Sequence, residues 1–348
     1  MSGPVRVGLV STSWWAELMH VPALQSHPEA QLVAVCGRNA ERIADAGLEA
    51  LVVAAPEEAH HDVCMAGIEA GLHVLCEKPL AMTETQAKSM AAAAGAAGIV
   101  HMTYFTWRWM PWFRYLKELV ENGYVGKVYE SSFRSTGGYG RNGAYHWKWD
   151  QRHGLGAVGD LGSHMIDLAH WLIGDVTNVS ASLEALVKRP PPDESFEPAN
   201  DSALLNLQFE DGSHGVVHVS ALTHLGSRAM EWEVRLYGES GSLGVTMNLA
   251  DGWKIWGLRS EENEIQYLDV PASMMEGVQV GSPVAAQFGQ IFTKQAVGCR
   301  LFIDCIRAGH QVMPSFADGY KAQRVIETAF ASESQGRRLS IREVCGGD

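Results

Sequence analysis

Over about the first hundred residues, short apolar runs alternate with segments of helical pattern, and this feature most constrains the fold. Residues 5–10, 31–36, 48–54, 72–76 and 99–103 each read as a strand. Between them lie a helix over 17–24 that carries Pro22, and an amphipathic helix through Val63, Ala66 and Ile68 that stops at Gly71. An Ala-rich helix follows, opened by Thr83 with Gln86 three residues later in the manner of a capping box. Strands and helices alternating at this spacing predict a parallel, doubly wound sheet, and such sheets bind ligands outside the carboxyl ends of their strands.

Beyond Tyr104 the texture changes. A helix over 111–122 gives way to an aromatic and Gly-rich stretch, then to a helix from about Asp160 to Ile173. From 179 to 247 the segments LLNLQF, GVVHVSAL and WEVRLYG alternate apolar and polar residues, with Asp211-Gly212 and 238–241 as turns. That pattern predicts an antiparallel sheet. The run 190–192 reads as a surface loop, 301–307 and 319–332 as helices, and there are no internal repeats. At 348 residues the chain exceeds the usual size of a single core, so two α/β domains are expected, 1–103 and 104–348.

An apolar share of 46% with 19% charged residues suits a compact enzyme. The net charge of -13, without a basic run, argues against nucleic acid or an anionic membrane as partner. Six scattered cysteines without a CxxC spacing suggest neither a disulfide framework nor a zinc site. The first residues enter a strand pattern directly, and no apolar stretch approaches the roughly 18 residues of a membrane span. A reduced, cytoplasmic protein is expected.

A dinucleotide loop normally carries Gly-x-Gly-x-x-Gly or Ala after the first strand, so that the backbone approaches the pyrophosphate. Here the segment is Ser11-Thr12-Ser13-Trp14-Trp15-Ala16, with serine in place of both glycines. Serine approaches less closely, but its hydroxyl can donate to a phosphate oxygen. Read alone, the segment favours a plain strand-turn-helix over a nucleotide site. Lys78 stands where the fourth strand ends, at the sheet edge where a reactive ring would lie, although a single Glu-Lys-Pro also describes a surface lysine before a turn. Asp160 and His164, four apart, share a helix face opposite Leu161, Met165, Leu168 and Leu172. They also fit an N-cap with a solvated histidine, or a metal site completed by Asp167.

Taken in order, GLHVLCEKPLAMT, then GLGAVGDLGSHMIDLAHWLIG about eighty residues on, resemble the Gfo/Idh/MocA oxidoreductase family. HVPAL, AVCGRNAER, AAPEEAH, NDSALLNLQFEDG and DGYKAQRVIETAFASESQG extend the resemblance over nearly the whole chain. It implies an N-terminal Rossmann domain holding a nicotinamide dinucleotide. It also implies a C-terminal α/β domain with a large, mostly antiparallel open sheet that builds homo-oligomers, dimers or tetramers. Carried over residue by residue, the catalytic set is Lys78, Asp160 and His164, lining the gap between the domains. The cofactor surface is Ser11, Thr12, Ser13, Trp14, Trp15, Arg38, Ala55, Pro56, His60, Glu77 and Lys78. The chain departs from the family where ERIADAG runs straight into LEALVVAAP, without about twenty residues that normally supply an edge strand and a short helix.

The implied chemistry moves a hydride between the nicotinamide and a carbinol or carbonyl carbon of a sugar, cyclic polyol or related small molecule. Oxidation also needs a base at the hydroxyl proton. His164, with a reference pKa of about 6.5, or Lys78, lowered by burial and a cationic ring, can serve, while Asp160 orients the imidazole or the sugar hydroxyls. Arg38, with no carboxylate after the second strand, favours NADP, with NAD as the alternative. Tyr104, Trp107, Arg108, Trp147 and His153, with Tyr139 and Lys148, are candidate substrate contacts; no metal is expected. His60, His61, His101 and His170 also read as structural. Two other functions fit the resemblance: an enzyme that recycles a tightly bound cofactor internally, and a non-catalytic dinucleotide-binding regulator.

Overall fold

The computed structural model describes residues 3–11, 13–37 and 47–347. It divides into two compact units, Met1–Trp109 with Glu276–Gln323, and Met110–Met275 with Arg324–Asp348. The first unit is therefore not one continuous stretch of chain.

In the first unit, β1 (Val5–Val10), β2 (Ala30–Cys36), β3 (Ala50–Val53), β4 (His73–Cys76) and β5 (His101–Thr103) form a parallel sheet in the order β2-β1-β3-β4-β5. Because β1 lies between β2 and β3, the connections on its two sides run in opposite directions, which opens a crevice at its carboxyl end. The core joins Val10, Leu51, Val53, Val74 and Cys76 of the sheet to Cys64 and Ile68 of the helix His60–Glu69 and to Ala87 and Met90 of the helix Glu84–Ala97. Fully burying each larger aliphatic side chain contributes about 1.5–3 kcal/mol. Thr83 caps its helix by accepting from Gln86 N at 3.3 Å, and Gln86 Oε1 accepts from Met82 N at 3.2 Å. Gly98, at φ 65°, closes it.

The first connecting helix departs from the expectation of one α-helix. Ala16–His20 is a π turn, and α geometry begins at Val21–Gln25. Pro22 has no N–H to donate to residue 18 and its ring crowds that carbonyl, so the wider turn ahead of it relieves both conflicts. Helices Val284–Lys294 and Gly298–Ala308 pack against this stretch, and Phe316 joins the core. Arg38 and the rest of 38–46 lie outside the described residues, as does Thr12; among the described residues β2 is the sheet edge.

The second unit holds a nine-stranded sheet. Its strands are β6 (Val128–Gly137), β7 (Val176–Glu184), β8 (Ser202–Phe209), β9 (His214–Ser220), β10 (Met230–Gly238), β11 (Gly241–Asn248), β12 (Gly252–Arg259), β13 (Gln266–Tyr267) and β14 (Leu339–Ser340). The order is β13-β12-β11-β10-β6-β9-β8-β7-β14, antiparallel throughout except for the parallel pair β6 and β9. Ala203, Leu205, Leu207 and Phe209 are buried while Leu204 and Asn206 face outward, the period of two that the sequence displays. Helix Pro111–Glu121 packs on β11 and β12, with Trp112 stacked on Trp253 at 4.5 Å, and helix Ser163–Leu172 packs on β6. No helix among the described residues is long and apolar enough to cross a membrane, and all six cysteines are free.

Candidate functional site

The loop after β1 holds its shape with hydroxyls. Ser13 N donates to Ser11 Oγ at 3.0 Å, Ser11 Oγ donates to Ser13 Oγ at 2.9 Å, and Ala16 N donates to Ser13 Oγ at 3.3 Å, so Ser13 caps the helix that follows. The helix start, with its partial positive charge, stands at the carboxyl end of β1, where a pyrophosphate fits. The Trp14 indole beside it is 71% exposed. Trp15 turns the other way, and its Nε1 donates to Glu77 Oε1 at 2.6 Å.

Glu77 follows β4 directly and is buried. Its Oε1 also lies 2.8 Å from His20 Nε2, and its Oε2 accepts from the Lys78 amide at 3.2 Å. Burial pushes the Glu77 carboxyl up, but His20, Lys78 and the Trp15 indole together outweigh burial and hold it below the usual range. The loop after β3 is tied to the same turn: the ring nitrogens of buried His60 lie 3.0 Å from Ala55 O and 2.9 Å from Pro79 O. Burial keeps His60 below the ordinary imidazole range. Pro56 is exposed. Lys78 thus leaves a turn fixed on both sides, half-buried at the carboxyl end of β4.

In the second unit the expected helix from Asp160 to Ile173 begins differently. Val158–Gly162 is a π turn containing Asp160, and the α-helix starts at Ser163. Gly159 and Gly162 lower the cost of leaving α geometry there. Asn200 anchors the entry, its Oδ1 accepting from Val158 N at 2.9 Å and its Nδ2 donating to Leu155 O at 2.9 Å. Asp160 is buried, with Oδ1 accepting from Lys148 Nζ at 2.8 Å and Oδ2 from Tyr139 Oη at 2.9 Å. His164 is buried with its ring edge-on to Trp232 at 5.7 Å. Tyr139, Leu161, Trp232, Arg141, Asn142 and His224 line a cavity of about 600 Å³. The buried hydroxyls of Ser135 and Thr136 also line it, and neither has a hydrogen-bond partner among the described residues.

The remaining candidates fall elsewhere. Tyr104 is fully buried against His20 at 4.5 Å and Trp109 at 5.1 Å, and burial pushes its phenol well above the usual value. Trp107 packs on Phe288 at 5.9 Å, and Arg108 donates to Asp318 at 2.9 Å. Trp147 carries the Lys148 ammonium over its ring at 5.7 Å; His153 is half-buried in the turn after it. His61 lies 2.8 Å from Asp62, His101 accepts from Phe316 N at 3.1 Å, and His170 pairs with Asp175 at 3.3 Å. Among the described residues no group of three His, Cys, Asp or Glu side chains is placed to hold a metal ion. His20 and Cys299, at the heart of the first unit, carry no local signal in the sequence, because partners 279 positions apart leave no local pattern.

A doubly wound parallel sheet with its crevice at the end of β1 is the architecture of dinucleotide-binding domains. The family model described as an oxidoreductase family with an NAD-binding Rossmann fold matches residues 43–105, and that of the GFO/IDH/MocA C-terminal domain matches 113–244. The chain belongs to the GFO/IDH/MocA family. It is 25% identical to levoglucosan dehydrogenase of Pseudarthrobacter phenanthrenivorans, across 87% of this chain and 82% of that one. It is 24% identical to D-apiose dehydrogenase of Paraburkholderia graminis, across 93% and 87%. The solved structure of levoglucosan dehydrogenase with NADH and levoglucosan superposes with a TM-score of 0.83 at 22% identity, covering 97% of this chain and 99% of that one, a likeness of fold.

Proposed function

We infer that the enzyme interconverts a secondary alcohol and a carbonyl on a sugar or cyclic polyol, with Lys78, Asp160 and His164 handling the proton. The observation that carries this reading is the bond from Trp15 to Glu77, which couples the loop after β1 to the turn that presents Lys78. The relatives named for sugars support the substrate class. The cavity lined by Trp232, Tyr139 and unpartnered hydroxyls suits a polyol, whose ring offers an apolar face and many donors.

A bound nicotinamide dinucleotide supplies the hydride acceptor or donor. Ser11, Ser13 and the backbone of Trp14 and Trp15 would hold its pyrophosphate at the helix start, and Arg38 favours NADP. The Lys78 amine steadies charge at the substrate oxygen, and either Lys78 or His164 takes the hydroxyl proton. Asp160, gripped by Lys148 and Tyr139, holds the neighbouring hydroxyls. The outward residues Leu204, Val216 and Tyr237 of the second sheet support assembly into a homo-oligomer, and six free cysteines support a reduced, cytoplasmic setting. Mixing the protein with NADP or NAD and a panel of sugars and inositols tests the reading: turnover is expected at the nicotinamide absorbance, and none with any pair would overturn it.

A further inference from the structure

His20 has no part in that scheme, yet it stands at the centre of a buried polar cluster in the first unit. The ring is wholly buried, with Nε2 2.8 Å from Glu77 Oε1 and Nδ1 3.2 Å from Cys299 Sγ. Cys299 is wholly buried too. Gly298 makes this approach feasible: at φ 56°, a side chain there would lie 2.8 Å from Tyr104 Oη and 2.9 Å from the Phe292 ring. Nε2 faces the Glu77 carboxylate and Nδ1 the Cys299 thiol, which can donate or accept. Burial opposes the doubly protonated ring, but Cys299 and Glu77 lift the His20 pKa to about 10.

We propose that His20, clamped between Cys299 and Glu77, is a positioning residue for Lys78. Its ring orients the carboxylate that meets the Lys78 amide and the Trp15 indole, and its charge offsets the Glu77 field at the Lys78 amine. The inference rests on the reading that Lys78 handles the proton. The groups facing His20 are Glu77 from the end of β4, Cys299 from the helix Gly298–Ala308, and the Tyr104 ring. The helix Val284–Lys294 contributes the apolar rings of Phe288 and Phe292 to the cluster. Lys78 itself adjoins Glu77 and acts electrostatically on His60, which burial keeps neutral. With His20 charged, Glu77 and His20 form a pair without net charge and the amine releases its proton more readily; without His20, the carboxylate alone would hold that proton on.

The test reads the amine directly. The protein is reductively methylated with 13C-formaldehyde, the Lys78 signal is assigned by its loss in Lys78→Arg, and it is titrated by NMR in wild type, His20→Gln, Cys299→Ala and Cys299→Ser. The expected result is a Lys78 titration midpoint raised by about one unit in His20→Gln, as for a newly unopposed carboxylate. A smaller rise is expected in Cys299→Ala, reversed in part by the hydroxyl of Cys299→Ser. Should His20→Gln not fold, Cys299→Ala decides. An unchanged midpoint in the folded variants overturns the proposal. If the midpoint shifts but Lys78→Ala keeps full turnover, the positioning holds and the catalytic reading of Lys78 fails instead.

Discussion

The Lys148 ammonium lies 2.8 Å from Asp160 Oδ1, and both belong to the unit that presents the cavity. This lysine, a candidate substrate contact, grips the carboxylate proposed for the catalytic set, with Tyr139 on the second oxygen. Hydrogen bonds to charged groups contribute roughly 1.5–3 kcal/mol. Lys148→Met is therefore expected to lower kcat about ten- to hundredfold and the melting temperature by a few degrees, and Tyr139→Phe to do so more weakly. Steady-state kinetics beside thermal denaturation checks this; full activity in both variants would remove Asp160 from the scheme.

The approach to Asp160 depends on a single backbone geometry. Gly156 has φ 69°, and a Cβ there would meet Asn200 O at 2.3 Å. Gly156→Ala must move the Asn200 anchor or strain the chain, so a loss of at least about 2 kcal/mol in urea denaturation is expected. A melting curve equal to wild type would contradict this.

Arg189 and Asp201 form a buried ion pair at 2.8 Å, with Arg189 also donating to Gly140 O at 3.0 Å and lying over the Trp149 ring at 4.6 Å. Asp201 accepts from Leu186 N and Val187 N, and these bonds soften but do not replace the lost cation. Arg189→Leu is expected to cost about 3–5 kcal/mol, as for a buried pair broken on one side. A loss under about 1 kcal/mol by chemical denaturation would show that the carboxylate finds another partner.

Two histidines set opposite limbs of stability against pH. Burial lowers His101 to about 4, so between about 4 and 6.5 the unfolded chain binds the extra proton and stability rises with pH. His20, raised to about 10, keeps a proton that the unfolded chain loses near 6.5, so stability falls as pH rises from about 6.5 toward 10. The urea midpoint is expected to peak near neutrality. His101→Gln should flatten the acid limb and His20→Gln the alkaline one; unchanged limbs would contradict the assignment.

Much of this architecture is legible in local pattern. The strand-helix alternation, the Thr83 and Gln86 cap, and the outward Leu204 between inward Ala203 and Leu205 all depend on neighbours within a few residues. Asp211-Gly212 also reads directly as a turn, with Gly212 at φ 87°. The π turns at Ala16–His20 and Val158–Gly162 did not read so, because their cause is the balance between Pro22 or paired glycines and distant packing. Helix periodicity placed Asp160 and His164 on one α-helix, whereas Asp160 lies ahead of it. Tertiary partners are hidden for the same reason: nothing near Cys299 announces His20, and nothing near Lys148 announces Asp160. The return of residues 276–323 to the first unit is a long-range fact of the same kind.

In the proposed reaction Lys78 handles the proton while a nicotinamide dinucleotide exchanges the hydride. The most direct measurement is turnover at the nicotinamide absorbance by wild type and Lys78→Ala, using the sugar or polyol and cofactor that support wild-type activity. The expected result is a loss of at least about a thousandfold in kcat in the variant, with cofactor still bound and the fold intact. A Lys78→Ala enzyme turning over within a few fold of wild type would contradict it.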